Sequence, residues 1–427
     1  MEGGTQEALH NNSSQKKFTS TLNLFAYALT GNLQSPLQEM NNSLQNIFSG
    51  WRVTLAIIIG LSVSLFLLLN SIYQESYIEA VDGNFVWQDM NNNGLVDYND
   101  PSEFVKVENG TGSYASQTLG TAISQIEWGT NSIIWLLLSV VFMFGRDLFY
   151  MLRIRILTDK VLSWKSSFYV IMIWEFASTL TPGVVGGAAV AMFILKREGL
   201  QLGRSTAIVI ITALMDNLFY ILLIPFILLT IGNDAMISVD GENSTFLQWW
   251  FWFGFLIVFG VAFLLLLSIF WWPSLVKFIL SYVTKIPFLK RWHEQAKQTG
   301  EDVRIASIEF RQRPFTFWLR TFGATFGSWM SRYLVVNAIL AAFLNIGLMD
   351  HVHIIGKQLV LWLFMLVSPT PGGSGVAEFA FGELLAGFSS SAILLAALAI
   401  LWRLISYFPY LFIGSILLPR WLRAKRK

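Results

Sequence analysis

The chain has no cysteine. Disulfides, thiolate catalysis and cysteine-ligated metals are therefore excluded. Charge is scarce as well. Asp, Glu, Lys and Arg make up 13% of the residues, where soluble domains carry about a quarter. The formal net charge of +2 is too small to suggest a nucleic-acid partner. No G-x-x-x-x-G-K-[ST] phosphate loop is present, which argues against a built-in ATPase. None of the four histidines, His10, His293, His351 and His353, belongs to an H-E-x-x-H pair. The chain is read as a non-enzyme. Residues 1–50 lack the apolar core and cleavage site of a signal peptide. They form a polar Asn-, Gln- and Ser-rich tail, expected to be largely disordered.

What is present is apolar. Hydrophobic residues reach 54%, in runs long enough to cross a hydrocarbon core of about 30 Å, which takes about 20 helical residues. The runs lack the alternation of a membrane barrel. The reading is an all-α polytopic protein of the cytoplasmic (inner or plasma) membrane. A first transmembrane helix is expected over 51–73. Segment 74–129 holds Glu75, Glu79, Asp82, Asp89, Asp97, Asp100, Glu103, Glu108 and Glu127 against the single Lys106. Basic residues favour the cytoplasmic side, so this segment is expected outside and the N-terminus inside. Further spans are expected near 131–144, 206–230, 248–272, 316–347 and 391–418. Arg146, Arg153, Arg155, Lys160 and Lys165 read as a cytoplasmic loop. The basic stretch 277–313 is expected to lie against anionic headgroups. A basic tail, 421–427, places the C-terminus in the cytoplasm.

One phrase occurs twice inside this apolar core, which covers 130–420. Thr181-Pro182-Gly183-Val184-Val185-Gly186-Gly187-Ala188 and Thr370-Pro371-Gly372-Gly373-Ser374-Gly375-Val376-Ala377 both fit T-P-G-x-x-G-x-A. Threonine caps helices and proline suits the first helical position, while the glycines allow unusual backbone angles. Each phrase predicts a membrane helix that breaks and restarts, which is tolerated only beside protein or a wet cavity. The half-helices around the first break are about 14 residues, about 21 Å, and basic residues flank both ends. This suggests a re-entrant hairpin from the cytoplasmic side, although one long kinked crossing stays open. The second break, near 354–386, enters from the opposite side. Six crossings with two opposed hairpins make an inverted repeat, the pattern that marks transport sites.

Ionisable residues at membrane depth are functional by default. Glu175, Asp216, Arg332, Glu378 and Arg403 stand out. They suggest a polar interior, or structural ion pairs such as Asp216 with Arg403. Half-helices starting at Pro182 and Pro371 would present free N–H groups and positive dipole ends, which favour phosphate. Together with Arg332 and Arg403 they outline a path for a phosphate-bearing headgroup or a small organic anion.

Residues 89–100 match an EF-hand calcium loop. Asp89, Asn91 and Asn93 take ligand positions one, three and five. Gly94 turns the chain, the Leu95 carbonyl serves position seven, Asp97 position nine, and Asp100 closes at twelve. A structural Ca2+ is expected there, without the helical flanks of a full EF-hand.

The two breaks also carry a family resemblance. Leu180-Thr181-Pro182-Gly183-Val184-Val185-Gly186-Gly187, then Pro369-Thr370-Pro371-Gly372-Gly373-Ser374-Gly375-Val376-Ala377-Glu378, then Trp402-Arg403 and Tyr407 resemble the flippase-like, or lysylphosphatidylglycerol-synthase transmembrane-region, family. The second phrase is close to the family's P-T-P-G-G-x-G-x-x-E. The resemblance covers about residues 130–420. The sequence departs at Asp216-Asn217, where many relatives have an acid followed by arginine. The resemblance implies a translocator of membrane lipids, since relatives fused to a lysyl-transferase domain are thought to move aminoacylated phosphatidylglycerol. No such domain follows the last span here, so lipid aminoacylation is not expected. Two other readings stay open: an ion-coupled transporter of a small organic anion, and a non-transporting partner of a lipid-modifying membrane enzyme.

Overall fold

The computed structural model describes residues 76–424 except 93, 95, 99, 109, 118–127, 181–182, 238–243, 286–292, 369 and 390. It also describes Ile58, Ser62, Leu65, Phe66 and Leu69, all helical and exposed. The tail 1–50, most of the first span at 51–73, Glu75, Glu127, Asn93, Leu95, Thr181, Pro182 and the last three residues of the basic tail lie outside the described residues.

The described residues are mostly helical, in keeping with the all-α expectation, and the acidic segment adds one small sheet. The sheet is antiparallel and consists of β1 (Tyr77–Gly83), β2 (Phe85–Trp87), β3 (Phe104–Lys106) and β4 (Gly112–Ser116), in the order β1-β4-β2-β3. Aromatic side chains give it a core. Tyr77 stacks on Phe104 with ring centroids 4.1 Å apart and meets Phe85 edge-on at 4.9 Å. A Cβ on Gly83 would fall 2.2 Å from the Tyr114 carbonyl oxygen, so this crossing requires glycine. Strands of three to seven residues with charged outward positions leave little trace beside apolar runs of membrane length.

The rest is helical. In order come α1 (Thr130–Leu157), α2 (Trp164–Leu180), α3 (Gly183–Arg197), α4 (Leu202–Ile231), α5 (Asn233–Ile237) and α6 (Ser244–Leu266, continued by a π turn, Leu267–Trp271). Then come α7 (Leu275–Val283), α8 (His293–Arg311), α9 (Phe315–Phe343), α10 (Leu348–Val367), α11 (Val376–Leu385), α12 (Ala392–Ser406) and α13 (Phe408–Ala424). Among the described residues, four stretches are long and apolar enough to cross a membrane: Thr130–Leu157, Leu202–Ile231, Gln248–Trp271 and Ala392–Arg423.

Two boundaries differ from the sequence expectation. First, α1 does not stop near Phe144 but runs to Leu157, carrying Arg146 and Arg153 into the protein. It packs along α9, where small residues admit close approach. A Cβ on Gly145 would sit 3.3 Å from Ser331 Oγ, and one on Gly327 would sit 2.8 Å from the Phe149 ring. Second, the last span bends at Tyr407 (φ −121°, ψ −57°) and continues to Ala424.

Side-chain contacts group the helix ends. Asp159 receives Arg204 at 2.6 Å and Arg313 at 2.5 Å. This gathers the end of α1, the start of α4 and the α8–α9 junction. Arg155 donates to the Leu162 carbonyl just before α2, and Trp421 Nε1 donates to Glu198 at the end of α3. At the opposite end Trp128 meets Phe343 edge-on at 5.5 Å, and Asn337 donates to the His351 carbonyl.

Between α7 and α8, Glu301 receives Lys277 at 2.8 Å and Arg304 at 2.5 Å. Hydrogen bonds from Arg304 and then Lys277 lower its carboxyl to about 2, below the usual value of about 4.3. A carboxyl lowered on folding contributes above its unfolded pKa and stops contributing as pH falls through the folded one. Spin labels at Ser281 and Lys297 are therefore expected to keep a constant separation from neutral pH to about 4, and to move apart only towards about pH 2.

Candidate functional site

The second break is made by glycine. Gly372, Gly373 and Gly375 have φ of 60°, 69° and 91°, angles that other residues resist. A new half-helix starting at Pro371 does not form. Pro371–Gly373 is a single 3-10 turn, and helix α11 starts only at Val376. Glu378 accepts from the Gly375 N–H at 2.6 Å, turning its carboxylate back over the helix start. Thr370 Oγ1 donates to the Ser374 carbonyl at 2.8 Å, closing the loop on itself. At the first break α2 ends at Leu180 and α3 begins at Gly183. A Cβ on Gly187 would fall 2.2 Å from Ser178 Oγ, so glycine lets α2 and α3 approach across the break. Nothing is described of the Gly186 surroundings.

Arg403 ties the second break together. Its Nε donates to Glu378 at 2.7 Å and its Nη2 to the Gly372 carbonyl at 3.0 Å. Both charged side chains are almost fully buried. Tyr407, one helical turn on, lies under the guanidinium at 4.4 Å and donates to the Thr179 carbonyl at the end of α2. The 3-10 turn also packs against α2 and α3. The two repeated phrases, 189 positions apart in sequence (370 against 181), therefore meet through Tyr407 and this turn.

The pairing Asp216 with Arg403 is corrected: Asp216 receives Arg153 at 2.5 Å and Trp329 Nε1 at 2.8 Å. Glu175 pairs with Arg146 at 2.6 Å. Arg146, only 1% exposed, also reaches Asp147 at 3.1 Å and the Tyr410 hydroxyl. Tyr150 lies between the two arginines, 4.8 Å from Arg146 and 4.7 Å from Arg153. Sequence reasoning missed Arg146, Asp147 and Arg153 because basic residues after an apolar run read as a loop. The signal was there: 146, 150 and 153 follow i, i+4, i+7, which is one helix face.

Arg332 differs from these. Among the described residues it has no carboxylate partner, and it is half-buried beside Trp329, its guanidinium 5.2 Å from the ring. It lines a small, open cleft with Trp329, Tyr333, Gln358, Trp362 and Trp402. Trp402 adjoins Arg403, so the cleft borders the second break.

In the sheet region, Asp89, Asn91, Asp97 and Asp100 lie between β2 and β3, and Asp89 accepts from the Gly94 N–H at 2.8 Å. Among the described residues, no three or more His, Asp or Glu side chains converge on a metal position. His353 bonds the Met349 carbonyl, and His351 lies against Trp135.

Residues 114–414 match the family described as the lysylphosphatidylglycerol synthase TM region. The chain belongs to this family. It is a multi-pass integral membrane protein. The family match takes in both breaks, every buried ion pair described above and Arg332, and it leaves out residues 89–100. A UPF0104 membrane protein of Archaeoglobus fulgidus is 26% identical over 303 residues, covering 66% of this chain and 85% of that protein. No solved structure matches significantly.

Proposed function

We propose that this family member is a non-catalytic lipid translocator of the cytoplasmic membrane, carrying an anionic or phosphate-bearing lipid. The observation that carries the reading is the meeting of the two glycine breaks around Arg403, Glu378 and Tyr407, beside a cleft whose cation, Arg332, has no carboxylate partner among the described residues. Broken backbone at membrane depth belongs beside a substrate site. A lone arginine in an aromatic cleft offers a planar, charged donor set to a phosphate oxygen. The proposed topology has six crossings, both termini in the cytoplasm, and hairpins α2–α3 and α10–α11 entering from opposite faces. In its support, α2 starts and α3 ends beside contacts at one end of the bundle, while α10 starts at the other. An ion-coupled route has less support, because Glu175, Asp216 and Glu378 each face an arginine.

Arg332→Gln tests the reading. Hydrogen bonds to charged groups contribute about 1.5–3 kcal/mol, so loss of this cation is expected to slow transfer of fluorescent anionic phospholipid about tenfold or more in a dithionite-quenching proteoliposome assay. The melting temperature should change little, because no described ion pair is broken. Equal rates for wild type and variant would remove Arg332 from the path. Wild-type liposomes no faster than protein-free ones, with every lipid class tried, would reject lipid translocation.

A further inference from the structure

We infer that the protein carries its anionic lipid together with one proton, and that Asp147 is the residue which holds the proton. This rests on the lipid path proposed above and adds what offsets the charge of the cargo.

The buried charges along α1 are unevenly shared. Arg146 faces two carboxylates, Asp147 at 3.1 Å and Glu175 at 2.6 Å. Arg153 faces one, Asp216 at 2.5 Å. Three acids therefore share two arginines. The third cation of the region is Arg332. It lies over the Trp329 ring at 5.2 Å, and Trp329 Nε1 in turn donates to Asp216. Helix α9 sets Arg332 at the depth of this network. A Cβ on Gly145 would sit 3.3 Å from the Oγ of the neighbouring Ser331, and Ser328 donates to the Arg146 carbonyl at 3.0 Å. Before a lipid arrives, three arginines thus offset three carboxylates. An anionic headgroup on Arg332 takes up that offset and leaves one carboxylate in surplus. Charges act over long range where water is scarce. A surplus buried charge is costly, and a proton from water removes it.

Asp147 is the carboxylate placed to accept that proton. Arg146 is 1% exposed and its Nε is buried without a partner, so the acids meet only its Nη atoms. Glu175 takes Nη2, whereas Asp147 divides Nη1 with the Tyr410 hydroxyl. Tyr410 donates to the same Asp147 Oδ1 at 2.7 Å. Among the described residues nothing bonds Oδ2, and the side chain is 19% exposed. A proton on Oδ2 therefore breaks none of these bonds. Asp216 holds an arginine of its own, and Glu175 has the shorter contact with Arg146. The other neighbours leave this arrangement unchanged. Tyr150 lies against both arginines, and α9 brings the uncharged Thr325, Ser328 and Trp329. Helix α12 brings Arg403, which is paired with Glu378.

The test is calorimetric titration of the full chain in detergent with short-chain phosphatidylglycerol, in buffers of different ionisation enthalpy. The comparison counts protons taken up per lipid bound, and the phosphodiester itself stays singly charged near neutral pH. Wild type is expected to take up about one proton, so its affinity should rise about tenfold for each unit the pH falls over that range. Asp147→Asn keeps an Oδ1 acceptor for Arg146 and Tyr410 but has no charge to titrate. It should bind lipid without proton uptake and with an affinity that does not follow pH. Glu175→Gln should behave alike with Asp147 still in place, because Arg146 then has a single carboxylate to face. A residue that only shapes the fold would change the affinity or the melting temperature and leave the proton count at about one. Lipid binding by wild type without proton uptake would overturn the inference and leave the lipid path standing. So would uptake that persists in either variant. No lipid binding by wild type would reject the lipid path, and the inference with it.

Discussion

Arg403→Leu is expected to destabilise the protein by about 3–5 kcal/mol, the usual loss when one member of a buried ion pair is removed. Its partner explains the size. The Glu378 side chain is 4% exposed, so without Arg403 it loses its ion-pair and hydrogen-bond partner in a medium that cannot replace it. The Gly372 carbonyl loses its donor at the same time. Glu378→Leu is expected to cost a similar amount for the mirrored reason, and it also strips the acceptor from the Gly375 N–H. The informative variant is the double one. With both charges gone, neither ion is stranded, so the double loss should fall well short of the sum of the single losses. Thermal unfolding in detergent, followed by tryptophan fluorescence, measures all three. Strict additivity would mean that the two residues do not act as a pair, and the account of the second break would fail with it.

The breaks were legible because glycine and proline constrain the backbone locally, wherever the chain later packs. Three glycines within four positions, 372, 373 and 375, all take positive φ. The same run also shows where local reasoning stopped. Threonine and proline at 370–371 carry good helix-start propensity, yet the glycines delay the helix to Val376. Glu175, Asp216, Glu378 and Arg403 were legible from the rule that charges in membranes need a reason. The partners of Glu175 and Asp216 were not, because two rules disagreed over 146–153. Charge said loop, and i, i+4, i+7 spacing said helix face. Packing against α9 and the carboxylates of Glu175 and Asp216 decided for the helix. The β-sheet escaped for another reason. It depends on pairings between segments that are short, charged and separate in sequence, so no single window contains the signal.

Gly372→Ala is expected to be the most damaging one-carbon change at the breaks. Gly372 has φ 60° and ψ 17°, a left-handed conformation that costs an L-residue about 1–2 kcal/mol. The added Cβ would also fall 2.1 Å from Cε2 of Tyr407. That ring has little room to yield. It is 5% exposed, lies under the Arg403 guanidinium and donates to the Thr179 carbonyl. The strain therefore falls on the 3-10 turn, which must swing away and release Arg403 from the Gly372 carbonyl. Adding overpacking of about 1–3 kcal/mol to the backbone term gives an expected loss of about 3 kcal/mol or more. Lipid transfer should drop to the protein-free rate. Tyr407→Ala in the same chain separates the two terms. It removes the collision but not the backbone strain, so part of the lost melting temperature should return. Transfer should stay low, because the contact joining the second break to the end of α2 is gone. A Gly372→Ala protein that melts like wild type would show that the turn is not seated on Tyr407. A double variant that regains transfer would show that joining the two breaks is not what transport requires.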